Sequence, residues 1–174
     1  MIVFILLLTF FFLIVGIRVM SLRKAVCVFN ENNVKGTIYL EEIDGNKTHI
    51  YGKITGLTKG KHGFHIHEFG DLTDGCKSLG AHYNPFGHSH SGLQSKKRHI
   101  GDLGNVIANK NGIANINITD NLIKLRGKYS VIGRSFVVHE DEDDLGLGHH
   151  KDSKTTGHAG ARLACGVIGF ASNH

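Results

Sequence analysis

From about Leu22 onward the chain alternates apolar and polar residues, or strings β-branched residues together, in short runs. Turn residues break these runs at a spacing of about 8 to 12, the pattern of an antiparallel β-protein rather than of helices. Glycine supports this: 23 of 174 residues are Gly and only one is Pro, a composition suited to many tight turns and unsuited to collagen or a helical bundle. The Asp44-Gly45 and Asn111-Gly112 pairs are strong hairpin signals, and Lys59-Gly60 marks another turn. The expected strands are Lys24 to Phe29, Lys35 to Glu41, Thr48 to Ile54, His62 to His67, Gly104 to Ala108, Ala114 to Ile118, Val131 to His139 and Arg162 to Phe170. An all-β sandwich or barrel of one domain follows, with no internal repeat and no linker. Two stretches resist strand assignment, Glu68 to Gly101 and Asp141 to Gly160, and loops that long in a small domain are usually functional.

Residues Met1 to Ile17 carry no charged side chain. Residues 1–21 therefore read as a signal peptide, cleaved near the small residues Gly16 or Ser21, or as a retained membrane anchor, separate from a domain at 22–174. Arg18, Arg23 and Lys24 lie on the side that the positive-inside rule would hold in the cytosol. Against that stand two glycosylation sequons, Asn46-Lys47-Thr48 and Asn117-Ile118-Thr119. The cysteines Cys27, Cys76 and Cys165 have no CxxC spacing, which excludes a cysteine zinc site and fits one disulfide plus one spare thiol. A lasting disulfide implies an oxidising compartment. The expectation is a secreted protein, with membrane anchoring through residues 1–17 as the alternative. The net charge of +5 is scattered along the chain, so no nucleic-acid-binding stripe forms.

The compositional anomaly is 13 histidines, seven of them between His62 and His99. His65 and His67 are two apart in an apolar run, so on a strand they share one face about 6 to 7 Å apart, within reach of one metal ion, while Ile66 faces the other way. The following loop holds His82, His90, His99 and Asp102. Three imidazoles and a carboxylate make a closed tetrahedral shell of the kind structural zinc takes. An all-imidazole set suits copper.

Four segments carry a resemblance to a known family: Gly63 to Asp71 (GFHIHEFGD), Arg98 to Asn105 (RHIGDLGN), Val137 to Glu140 (VVHE) and Gly160 to Gly169 (GARLACGVIG). They resemble the signatures of copper-zinc superoxide dismutases, and the similarity runs from about Lys24 to Phe170. The resemblance implies an eight-stranded Greek-key β-barrel with two long functional loops. It also implies one copper on His65, His67, His82 and His139, and one zinc on His82, His90, His99 and Asp102. His82 is then shared, losing its second ring proton between the two cations and taking one back in the catalytic cycle. His88 is set aside in favour of His90 as a ligand, and His62 reads as a structural hydrogen-bonding residue. His49, His149, His150, His158 and His174 read as surface residues. By the same resemblance Asp143 hydrogen-bonds ligands of both metals, Arg162 fixes the superoxide anion beside copper, and Thr156 narrows the channel mouth. Cys76 pairs with Cys165, leaving Cys27 as a buried thiol.

The implied reaction is dismutation of superoxide to oxygen and hydrogen peroxide. The implied assembly is a homodimer, or a tetramer as in some exported members, with Val26, Val28, Phe69, Gly70, Ile132, Gly133, Val167 and Phe170 near the interface. Asp141 and Thr155 stand where many family members have lysine, and Lys151 where an acid is common. Two rivals are a copper- and zinc-binding protein on the same barrel without turnover, and a tethered adhesion-like sandwich that binds only zinc. Arg162 and Thr156 count against the first.

Overall fold

The computed structural model describes residues 23–31, 33–43 and 46–172. The expected leader at 1–21, the Asp44-Gly45 turn and His174 lie outside the described residues. Alternation becomes structure in β1 (Lys24–Glu31), β2 (Val34–Ile43) and β3 (Lys47–Thr55). Ala25, Cys27, Phe29, Ile38, Leu40, Ile50 and Ile54 are buried, while most of their neighbours along each strand face outward. The remaining strands are β4 (Gly60–His67), β5 (Asp102–Ala108), β6 (Ala114–Asp120), β7 (Ser135–His139), β8 (Arg162–Val167) and β9 (Gly169–Phe170).

All pairs are antiparallel, in the order β8-β7-β4-β5-β6-β3-β2-β1-β9. The β3–β6 and β4–β7 neighbours give the Greek-key crossovers. β8 and β9 are one run broken at Ile168, whose backbone turns aside to bond Arg134 O and Gly133 N. The first part pairs with β7 and the second with β1, through Val26↔Gly169 and Ala25↔Phe170. The eighth strand thus closes the barrel by changing partners. Val131–Arg134, expected as strand, forms a turn: Arg134 N donates to Val131 O and Gly133 takes φ 81°. A left-handed residue ends strand geometry whatever the β-propensity of Val131 and Ile132.

The interior packs Phe64, Ile66, Phe136 and Val138 of β4 and β7 against the aliphatic residues of β1, β2, β3 and β6. The rings of Phe64 and Phe136 stack at 4.8 Å. β4 and β7 differ from the other strands because their outer faces are buried as well, under the loops at 68–101 and 141–160. Two devices fasten the first loop. Arg98, at the end of the Lys96-Lys97-Arg98 basic cluster, is only 1% exposed. Its guanidinium donates to the carbonyls of Leu93, His99 and Ile100 and pairs with Asp120 of β6. Removing one partner of such a buried pair costs about 3 to 5 kcal/mol. The second device is a disulfide between Cys76 and Cys165 of β8, spanning 89 positions and worth roughly 4 to 5 kcal/mol in the chain-entropy account. Cys27 is free and buried.

Candidate metal centre

Each histidine of the centre starts from a strand or a loop anchored to one. His65 and His67 lie on the outer face of β4, His139 ends β7, and Asp102 opens β5. His82 makes an isolated bridge to His67, and His90 and His99 come from the loop tied down by Arg98. These side chains fall into two buried groups whose candidate ligand atoms lie within 4.8 Å of one another: His65, His67, His82 and His139, and His82, His90, His99 and Asp102.

One rule organises the rings. In every one except His82, one nitrogen is held outward by an acceptor, which fixes the tautomer and turns the other nitrogen inward. His65 Nε2 bonds Asp143 Oδ2 at 2.8 Å, His67 Nδ1 bonds Gly80 O at 3.0 Å, and His139 Nδ1 bonds Gly160 O at 3.2 Å. His90 Nε2 bonds Asp143 Oδ1 at 2.8 Å and His99 Nε2 bonds His88 O at 2.9 Å. His82 has no outward partner: Nδ1 meets Asp102 Oδ1 at 3.0 Å and Nε2 is buried without a hydrogen bond. Both its nitrogens face a group, one each.

The inward atoms suit cations. His65 Nδ1 and His82 Nε2 are buried without hydrogen-bond partners, a cost of about 1 to 3 kcal/mol apiece unless something else satisfies them. In the all-histidine group, burial and then the neighbouring His82 ring hold His65 well below the usual imidazole range. The same causes bring His67 to about 2 and His139 to about 4. Neutral rings with free lone pairs are what a metal requires. In the other group His82, His90 and His99 bring Nδ1 to within 3.0, 2.9 and 3.0 Å of Asp102 Oδ1. Burial works to raise Asp102, but these rings hold its carboxyl well below the carboxylate range. Three nitrogens and one charged oxygen converging on a point fit zinc, and four imidazoles fit copper.

Asp143 is buried and spans the two groups, one oxygen on His65 and the other on His90. It is locked by Asn105, which exchanges hydrogen bonds with its backbone N and O. Gly157 caps the short helix α1 (Ser153–Thr156) in the left-handed region at φ 68°. A Cβ there would lie 1.9 Å from Asp143 Oδ1 and 2.6 Å from His90 Nε2, so only glycine fits. Arg162 lies opposite His139 in the β7–β8 register, and its guanidinium donates to Cys76 O and, at 2.7 Å, to Gly80 O. Gly80 O also accepts from His67, so one carbonyl ties the cation to the copper-type group.

Thr156 is exposed on α1, and Asn46, on the turn before β3, and Asn117, on β6, are exposed and belong to neither ligand group. His62 is buried and donates Nδ1–H to His139 O at 2.8 Å. The ring of His88 stays out of both groups, but its carbonyl holds His99. Asn105 and the carbonyls of Gly80, His88 and Gly160 were not singled out from sequence. Backbone acceptors leave no residue signature, whereas Asn105 was in plain view beside Gly104.

The chain is similar to known proteins. The family model for copper/zinc superoxide dismutase matches residues 34–168. Superoxide dismutase [Cu-Zn] 3 of Arabidopsis thaliana is 51% identical over 154 residues, covering 88% of this chain and 93% of the relative. Superoxide dismutase [Cu-Zn] 5 of Dictyostelium discoideum is 53% identical over 149 residues, covering 85% and 98%. The crystal structure of the clock protein EA4 superposes with a TM-score of 0.85 at 43% identity, covering 87% of this chain and 96% of that one. Two buried ligand groups joined through one histidine, on a barrel of this topology and with this degree of identity, place the chain in the copper/zinc superoxide dismutase family.

Proposed function

We propose that this chain is an exported copper-zinc superoxide dismutase working as a homodimer. The reaction converts two superoxide anions and two protons to oxygen and hydrogen peroxide. Copper held by His65, His67, His82 and His139 would supply the one-electron couple for this, and zinc held by His82, His90, His99 and Asp102, having no redox states, would supply charge only. The carrying observation is His82, the one ring of the centre with both nitrogens turned inward. With metal held on both sides, that ring would give up both N–H protons, and Nε2 would be the atom that takes up and passes on a proton. Asp143 keeps His65 and His90 in the tautomers that leave their inner nitrogens free. Arg162 holds the anion: its charge is permanent, and two carbonyls fix its guanidinium. Thr156 is assigned the narrowing of the mouth.

Export is supported by the charge-free segment at 1–17, the disulfide and the exposure of both sequon asparagines. Dimerisation is supported by the apolar side chains left in water around the β1–β9 edge: Val28, Phe69 and Phe170 are 56%, 50% and 63% exposed. Gly70 packs against Gly133 and Val167 in the same region. Metal analysis and a superoxide assay on the purified, N-terminally sequenced protein test the reading, with light scattering for mass. One copper and one zinc per chain, rapid turnover, a start near residue 17 to 22 and dimer mass are expected. Zinc without copper, or both metals without turnover, would move the protein to one of the two binding-protein alternatives. An intact Met1 in a membrane fraction would replace export by anchoring.

A further inference from the structure

Behind the disulfide lies a third group of side chains that neither metal site uses. Glu31, the last residue of β1, places Oε2 3.1 Å from Cys76 Sγ and Oε1 3.1 Å from Cys165 Sγ. A disulfide sulfur has no proton to donate, so hydrogen bonding does not explain a carboxylate there while the bridge is closed. In the dithiol each S–H has an acceptor in place. The sulfurs also lie against Leu79 and Val137, an apolar setting that disfavours a free thiolate. Among the described residues no cation pairs with the Glu31 carboxylate. Arg162 of β8 is turned to Cys76 O and Gly80 O, Lys77 is 3.9 Å from Asp74, and Lys35 bonds Asn30. Burial pushes the Glu31 carboxyl up from its ordinary value.

We propose that Glu31 is the proton acceptor when the Cys76–Cys165 bridge forms and the proton donor when it is reduced. The oxidant in formation is a small-molecule disulfide, RSSR. Cys76, 9% exposed against 3% for Cys165, is the thiol that meets it. Its proton passes to Glu31, its sulfur bonds to one sulfur of RSSR, and the S–S bond of RSSR breaks, the leaving thiolate taking up the proton as RSH. Glu31, ionised again, receives the proton of Cys165. The Cys165 sulfur then bonds to Cys76 Sγ, the mixed disulfide breaks, and a second RSH leaves. Two protein thiols lose two electrons and two protons, and RSSR gains both. Reduction runs the same steps backwards, with the Glu31 carboxyl protonating the departing sulfur.

The test uses the metal-loaded protein, reduced with a phosphine, desalted and mixed with glutathione disulfide between pH 6 and pH 9. Bridge closure is followed by maleimide-polymer gel shift after acid quench, Cys27 adding one constant label. Glu31→Gln is expected to slow closure about a hundredfold at pH 6.5, the lower end of what one proton-transfer group contributes. The deficit should shrink toward pH 9, where thiols ionise unaided, and Glu31→Asp should recover part of the rate. A deficit of equal size at every pH, no deficit, or a faster variant would overturn the proposal. The wild type supplies a check that no substitution can confound: its closure rate should fall less than tenfold per pH unit below pH 8. A full tenfold fall per unit, the signature of free thiolate alone, would equally overturn it.

Discussion

The two halves of this barrel put the same strand geometry to different uses. In β1, β2, β3 and β6 one face is buried and the other meets water, where His49, Tyr51 and Tyr39 stack in a half-buried ladder. In β4 and β7 both faces are buried: Phe64, Ile66, Phe136 and Val138 fill the core, while His65, His67 and His139 look outward into the loops. The first half is held together mainly by apolar burial, with buried polar contacts only at its margin, the Arg98–Asp120 pair and the Thr48 hydroxyl on Ile123 O. The second adds a layer in which every buried nitrogen must be satisfied by an acceptor or a metal. Stability and chemistry are therefore separable by face, and substitutions can test the separation.

The largest effect is expected at His82, where the two metal groups join. His82→Ala should disturb copper and zinc together and abolish turnover, whereas His99→Ala should mainly weaken zinc. Metal content by mass spectrometry with copper absorption decides it, and an unchanged copper spectrum in His82→Ala would remove the ring from the copper group. Ile38→Ala, in the bare half, should cost about 2 to 5 kcal/mol of stability, since Ile38 is wholly buried. Each folded molecule should still bind one copper and one zinc. Denaturant titration and metal content together would expose any leakage between the halves.

How far these features could be read beforehand also divides by face. The strands of the bare half follow from alternation, because one face in water leaves a polar residue at every second position. The ligands were legible for a different reason: histidine is rare, and its clustering between His62 and His99 needed a cause. What holds the ligands was less legible. Gly80, His88 and Gly160 act through carbonyls that any residue would supply. Arg98 stood beside two lysines like a surface cation, and only its fold environment makes it a buried anchor. Glu31 lies 45 positions from Cys76 and 134 from Cys165, and no local pattern joins them.

Gly157 tests whether the loop layer tolerates change as a surface loop would. A methyl there falls on Asp143 and His90, and a non-glycine residue at positive φ adds about 1 to 3 kcal/mol of strain. Gly157→Ala should weaken zinc affinity about 10- to 100-fold, the usual scale for losing an outer-shell support, and lower the stability of the zinc-free barrel by no more than that strain of about 1 to 3 kcal/mol. Zinc competition titration measures it, and wild-type affinity would mean that Asp143 can shift without consequence. Arg162→Ile is the converse, chemistry without metal loss. Losing one charge-assisted contact of about 1.5 to 3 kcal/mol should slow turnover about ten- to hundred-fold at full copper. Loss of copper would make Arg162 a support for His67 through Gly80 O.

The smallest effect is expected at Cys27, the one titratable thiol of the bare half. Its Sγ lies so close to Gly166 that a Cβ on that residue would sit 2.7 Å away. Burial raises the thiol from 9.0 to about 12, a backbone hydrogen bond from Phe136 opposing only in part. At pH 8 the thiolate fraction is then about one in ten thousand, and the native protein should resist alkylation until it unfolds. The sign of the linkage follows. Between pH 9 and about 12 the folded state keeps a proton that the unfolded state has released, so this group's contribution to stability is complete below pH 9 and declines as pH rises. Lysines and tyrosines titrate in the same window, so the comparison must be differential: Cys27→Ala should lose stability less steeply than the wild type across it. Parallel curves in alkaline denaturant titrations would mean that the barrel opens locally around Cys27, and that the bare half is less uniformly packed than its burial indicates.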